Sequence, residues 1–164
     1  MPKSARCPHC DRSYDRRVLD AHILKCRSRR DALNDIPAPS HQVVIVDGNN
    51  VAYFLAPDGQ PRAENLVRAI RSLSSSGYKP FVVISAALKH KIDKPMILQN
   101  LVTEGYVIEA PRGIDDDLTI IEEAMKRAAD IVSNDRFLNW LSRYPWVTAR
   151  LRRYRMTQSG LILT

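Results

Sequence analysis

The clearest pattern along the chain is a set of short continuous apolar runs separated by stretches in which apolar residues recur every three to four positions. Val43, Val44, Ile45 and Val46 form one run and Phe81, Val82, Val83 and Ile84 another, predicting strands over 42–46 and 80–85. Apolar runs without polar alternation suit strands covered on both faces, as in a parallel sheet. Weaker strands are predicted over 106–109 and 130–133. Between them Leu66, Val67, Ile70 and Leu73 share one face of a helix predicted over 62–75, and further helices are expected over 95–103 and 117–129. A strand over 151–156, a turn at Gln158, Ser159 and Gly160, and a short strand over 161–163 read as a closing hairpin. Strand and helix alternate four times. That predicts an α/β domain over 42–164 with a central, mainly parallel sheet, right-handed crossovers and ligands at the carboxyl ends of its strands.

The first forty residues fall outside this pattern. Pro37 and Pro39 mark an extended linker expected over 31–41, which leaves residues 1–30 as a separate head. In the head Cys7, Cys10, His22 and Cys26 follow the spacing C-x2-C-x11-H-x3-C and use every cysteine in the chain. Tetrahedral zinc takes four such nitrogen and sulfur ligands, a cysteine knuckle followed by a histidine and cysteine one helical turn apart. Tyr14 and Leu19 are placed to form its miniature core. So short a head cannot bury enough surface to fold alone, and zinc contributes roughly 10–16 kcal/mol in comparable fingers. The segment 7–26 resembles CCHC-type ββα fingers.

Charge sharpens the division. Residues 1–40 carry nine Lys and Arg against five Asp and Glu, and residues 141–164 carry five Arg and no acid, so basic ends flank a middle of net charge −2. A polyanion is attracted to such ends, and RNA is the expected partner. Arg12, Arg16, Arg17, Lys25, Arg27, Arg29 and Arg30 crowd the head. With 45% apolar and 7% aromatic residues the chain is neither disordered nor membrane-embedded, since no run approaches the ~20 apolar residues of a spanning helix. No secretory leader is read at the amino terminus, so a cytoplasmic location is expected; a homodimer is compatible with the sequence.

The acidic middle needs its own explanation. Asp47 ends the first buried strand, followed by Gly48, expected to let the chain turn sharply; Asp115, Asp116 and Asp117 open a helix; Asp135 closes the strand over 130–133. Any one of these alone reads as a turn or helix cap. Gathered from several strand ends, they form the oxygen-rich site that Mg²⁺ or Mn²⁺ prefers, and phosphodiester cleavage is its usual chemistry. Lys89, His90 and Lys91 follow the second long strand, and Arg112 precedes the acidic triplet; Lys89, Lys91 and Arg112 are expected to contact the substrate backbone. A Rossmann or P-loop reading fails because Gly48, Asn49 and Asn50 supply neither glycine pattern.

Residues 44–53, 116–123 and 130–137 resemble the three acidic motifs of the NYN branch of the PIN-like nucleases, most closely the CCCH-finger-associated ribonucleases that degrade messenger RNA. The stretches VDGNNVA, the paired acids opening a helix, and IVSND occur in the family's order. The resemblance implies a PIN-like three-layer sandwich and a metal-dependent endoribonuclease acting on single-stranded RNA. It assigns Asp47, Asp116, Asp117 and Asp135 to catalysis and Mg²⁺ or Mn²⁺ binding, and Asn50 to shaping the site. The alternatives are a non-catalytic RNA-binding adaptor of the same fold and a DNA nuclease of the same superfamily. Two departures stand out: the finger is CCHC and precedes the nuclease, and Asn139 occupies the place of a fourth family aspartate. Residue 139 is expected one turn along a helix beginning after Asp135.

Overall fold

A computed structural model of the protein describes residues 4–8, 12–34 and 42–164. The chain divides into two units, Met1–Pro37 and Ala38–Thr164. In the first, strand β1 (Ser4–Arg6) pairs antiparallel with β2 (Ser13–Asp15), and helix α1 (Arg16–Asn34) follows. The Arg17 backbone N–H donates to Asp15 Oδ1 at 2.9 Å, giving the opening of α1 a carboxylate cap. The helix overruns the expected start of the linker at residue 31, because no helix breaker occurs before Pro37. Residues 35–41 of that linker, and Cys10, lie outside the described residues.

The second unit runs β3 (Val43–Asp47), α2 (Gly48–Ala52), α3 (Ala63–Ser75), β4 (Lys79–Ile84), a 3₁₀ turn (Leu88–His90), α4 (Pro95–Thr103), β5 (Val107–Glu109), α5 (Asp116–Arg127), β6 (Asp130–Val132), α6 (Val147–Arg150), β7 (Leu151–Arg152), β8 (Tyr154–Thr157) and β9 (Gly160–Leu163). Five strands form one parallel sheet in the order β5-β4-β3-β6-β7. Successive residues of a strand face opposite sides, so an uninterrupted apolar run feeds two cores. Val44 and Val46, with Val82 and Ile84, pack toward Val51, Leu66, Ile70, Leu73 and Leu98 of α2, α3 and α4. Ile45, Val83 and Ile131 pack toward Ile120, Ile121 and Ala124 of α5, with Phe137 and Val147. The result is the three-layer α/β sandwich expected. Trp140 and Trp146 flank this second core.

Local chemistry fixes the elements around the site. Pro95 occupies the first turn of α4, where a missing N–H costs nothing. The start of α3 is capped from a distance, its Ala63 N–H donating to Asp93 Oδ1 at 2.8 Å. In α5, Asp115 is the N-cap and accepts from the Asp117 N–H at 3.0 Å, while Asp116 and Asp117 sit in the first turn and Lys126 and Arg127 in the last, each complementing the helix dipole.

Three expectations are corrected. Gly48 has no left-handed backbone; a Cβ there would meet Ile84 Cγ2 at 2.6 Å and the Val83 carbonyl oxygen at 2.7 Å, so glycine lets α2 lie directly on β4. The strand expected over 151–156 is broken at Arg153: β7 extends the parallel sheet, while β8 and β9 form a separate hairpin. Ser72 of α3 anchors that hairpin by accepting the Leu161 N–H at 2.9 Å, a tertiary contact without local signature. No helix begins directly after Asp135; the Phe137 N–H instead donates to Asp135 Oδ1 at 2.7 Å and Phe137 takes a left-handed φ of 53°, which turns the chain. Asn139 is consequently exposed in a turn. Among the described residues no helix is long and apolar enough to cross a membrane.

Candidate active site

Strand β3 lies at the centre of the sheet and β6 beside it, so their carboxyl ends deliver Asp47 and the Ser133–Asp135 loop to one place. There a cleft of about 470 Å³ is lined by Asp47, Asp116, Asp117 and Asp135 together with Asn49, Asn50 and Asn134. All four acids expected from sequence are thus brought together. Asn139 is not among the lining residues. Asp115 holds a helix cap, and its carboxylate lies within 4.8 Å of those of Asp116 and Asp117.

Asp47 is the most constrained of the group. It is 5% exposed; Ser133 Oγ donates to its Oδ2 at 2.7 Å and the Asn50 N–H to its Oδ1 at 3.0 Å. Burial pushes its carboxyl up to about 6; the two donors oppose that shift, and the negative charges of Asp116 and Asp135 add to it. Asp117 is pushed up to about 7, first by burial and then by Asp115, Asp47, Asp116 and Asp135. Asp116 is raised too, again first by burial. Carboxylates that burial and one another drive toward neutrality are what a bound divalent cation would relieve. The all-oxygen donor set suits Mg²⁺ or Mn²⁺.

Asn50 is held in one orientation. Its Oδ1 accepts from Tyr154 OH at 2.7 Å and from the Asn134 N–H at 3.1 Å, which uses both lone pairs of that oxygen and leaves the Nδ2 donors available to the cleft. Asn134 in turn grips β8: its Oδ1 accepts the Tyr154 N–H at 3.2 Å and its Nδ2 donates to the Tyr154 carbonyl at 3.1 Å. The Arg153 guanidinium donates to the Asn134 carbonyl. Burial and the charge of Asp47 push the Tyr154 phenol upward, keeping it a neutral donor. On the other side Asn49 and Ser85 clamp each other, Asn49 Nδ2 donating to Ser85 Oγ at 2.8 Å and the Ser85 N–H to Asn49 Oδ1 at 3.0 Å.

Sequence reasoning missed Ser133, Asn134 and Tyr154. The first two sit inside the stretch that also contains Asp135 and could have been read as its hydrogen-bonding neighbours. Tyr154 lies 104 residues from the side chain it positions, and nothing local marks it. Among the basic residues, Lys89 Nζ is tied to Glu109 Oε1 at 2.8 Å, Lys91 is exposed, and Arg112 lines a neighbouring groove; none lines the acidic cleft.

In the head, the ligand atoms of Cys7, His22 and Cys26 all lie within 4.8 Å of one another. Cys7 is buried, its N–H donating to the Arg12 carbonyl at 2.9 Å, and the His22 ring stacks on Tyr14 at 3.8 Å. Nitrogen and sulfur donors converging this closely suit zinc, with Cys10 the fourth ligand expected from spacing.

A helix-flanked parallel sheet with an acidic cleft at its carboxyl edge defines a domain of the PIN-like class. The chain belongs to the Zc3h12a-like ribonuclease NYN domain family, whose model matches residues 40–159. Among solved structures it is similar to a crystal structure of nuclear proteinaceous RNase P 2 (PRORP2) from A. thaliana, with TM-score 0.56 and 18% identity over 99% of this chain and 40% of that one. A second structure, of Arabidopsis thaliana nuclear protein-only RNase P 2, gives TM-score 0.60 and 20% identity over 90% of this chain and 34% of the other. The chain therefore spans two fifths or less of those proteins, and the likeness is one of fold. No curated protein matches it significantly.

Proposed function

We propose that the protein is a metal-dependent endoribonuclease that cleaves single-stranded RNA. The observation that carries this reading is the gathering of Asp47, Asp116, Asp117 and Asp135 in one cleft of a ribonuclease-family domain. These four carboxylates would hold Mg²⁺ or Mn²⁺. A divalent ion held there would supply the positive charge that polarises a phosphoryl oxygen and acidifies water for hydrolysis of the phosphodiester, in which the P–O bond to the leaving oxygen breaks. The chain's own part is positioning. Ser133 and the Asn50 N–H fix the rotamer of Asp47; Asp116 and Asp117 are presented by the rigid first turn of α5; the Asx turn at Asp135 leaves its second oxygen to the cleft. Asn50 offers its Nδ2 donors to a phosphate oxygen. In the head, Cys7, Cys10, His22 and Cys26 would hold one structural zinc, and the surrounding arginines and lysines add phosphate contacts.

Labelled single-stranded RNA, double-stranded RNA and single-stranded DNA incubated with Mn²⁺, Mg²⁺ or EDTA test this directly. Cleavage of the single-stranded RNA, dependent on the divalent ion, is expected. The substitution Asp47→Asn should lower the rate at least a hundredfold while leaving RNA binding within a few fold, since it removes charge from the metal site and little packing. Cleavage by Asp47→Asn at the wild-type rate would refute the site. Binding without cleavage by the wild type would favour the adaptor reading, and preference for DNA the other alternative.

A further inference from the structure

Beside the acidic cleft, at the same carboxyl edge of the sheet, lies a second concavity of about 350 Å³ between the loops that follow β4 and β5. Ser85, Ala86 and Ala87 line it from one loop with His90, and Arg112 and Gly113 from the other. The two hollows share a wall: Asn49 lines the first, Ser85 lines the second, and each side chain is bonded to the other. The second loop continues directly into Asp115 and the acids of α5.

The charges are sorted between the hollows. Of the nearby acids, Glu109 at the end of β5 is neutralised by Lys89 at 2.8 Å, Asp93 on the first loop caps α3 and faces Arg62, and Asp115 is occupied with capping α5. Arg112 makes no ion pair or hydrogen bond among the described residues and faces a groove whose lining contains no carboxylate. Ala86, Ala87 and Gly113 keep part of the wall low, so a tetrahedral anion can approach the backbone and the guanidinium together. The acidic cleft repels RNA everywhere except at a cation, so the strand entering it needs a positive contact nearby.

We propose that this groove is a phosphate-binding subsite, in which Arg112 and His90 hold a backbone phosphate of single-stranded RNA flanking the one in the acidic cleft. The proposal rests on the ribonuclease reading for the occupant of the cleft. It assigns the substrate contact on this edge to Arg112 and His90, with Lys89 serving to silence Glu109.

The test uses the full chain carrying Asp47→Asn, in Mg²⁺, so that cleavage does not consume the probe. Probes are single-stranded oligoribonucleotides in which one phosphate at a time is replaced by a neutral methylphosphonate. Adding Arg112→Gln should weaken binding of the unmodified probe about tenfold and reduce the slope of log K against log salt by about 0.7. At one position of the scan the methylphosphonate should weaken binding to the parent protein and leave Arg112→Gln unaffected; His90→Gln should show a smaller effect at that position. Arg71→Gln, on the later half of α3 and away from this edge, should behave as the parent. Unchanged affinity and slope in Arg112→Gln overturn the proposal. So does a loss of affinity that no single phosphate position accounts for. Wild-type cleavage is scored separately: coupling without cleavage keeps the subsite and removes the catalytic reading, and cleavage without coupling does the reverse.

Discussion

The cleft depends on side chains whose freedom has been removed by neighbours. Asn50 illustrates this, because with Oδ1 saturated by Tyr154 and Asn134 its amide cannot rotate without losing both bonds. Tyr154→Phe removes one anchor and leaves the ring packed against Phe54. Loss of one hydrogen bond of about 1 kcal/mol predicts a cleavage rate about fivefold lower, with the melting temperature lowered by only a few degrees. The double variant Asn50→Ala with Tyr154→Phe should be no slower than Asn50→Ala alone; additive losses would mean that Tyr154 acts by another route. The raised carboxyls make a second prediction, about stability. In metal-free protein Asp47 and Asp117 keep their protons to about pH 6 and 7, whereas in the unfolded chain they lose them near 3.8. The folded state is therefore penalised as pH rises from about 4 to 8. Asp47→Asn, which carries no charge to bury, should exceed metal-free wild type in stability at pH 8 by on the order of 2 kcal/mol and lose that margin at pH 4. Denaturant titrations at the two pH values decide it, and a constant margin would show that the folded carboxyl is not perturbed. Excess Mg²⁺ or Mn²⁺ should shrink the margin.

At the level of elements, the short helix α2 is the link between sheet and cleft, since it begins one residue after Asp47 and carries Asn49 and Asn50. It lies so close to β4 that a methyl group on Gly48 would collide with the backbone as well as with side chains. Gly48→Ala should cost about 2–3 kcal/mol in urea unfolding, as overpacked sites do; a cost below about 0.5 kcal/mol would mean α2 can slide. The sequence displayed the larger elements because each carries its own signal: two-faced apolar runs for β3 and β4, and a stripe of Leu66, Ile70 and Leu73 for α3. Five residues are too few for α2 to show periodicity, so Gly48 read as a turn. Residues 151–156 looked like one strand because β7 and β8 differ only in their partners, which lie far away in sequence. The four acids were legible because each follows or precedes an element with a strong signal. Asn139 was misplaced through an assumed helix, where the Asx turn of Asp135 and the left-handed Phe137 bend the chain instead.

The whole molecule joins two units whose chemistries are complementary: a Cys and His cluster in the basic head, and an acidic cleft in the larger domain. If zinc replaces a hydrophobic core in the head, the two should unfold separately. Protein purified without chelator should contain one zinc per chain, and Cys26→Ser should lose most of it. Circular dichroism of that variant should show less helix, from α1, while the main unfolding transition of the α/β domain keeps its midpoint within about 2 °C. Full zinc content in Cys26→Ser, or collapse of both units together, would contradict the assignment.

The placement of β3 has a consequence for when the cleft is completed. The bonds that shape the cleft join residues far apart in the chain: Asp47 with Ser133 across 86 positions and Asn50 with Tyr154 across 104. Contacts of such separation form late, because the loop between them must close before they stabilise anything. On a ribosome the strand bearing Asp47 is made early and waits, with its aspartate unclamped, until β6 and then β8 have emerged. A nascent chain therefore cannot own a finished cleft before β8 has emerged. The topology ties completion of the cleft to the arrival of its most distant partner, Tyr154.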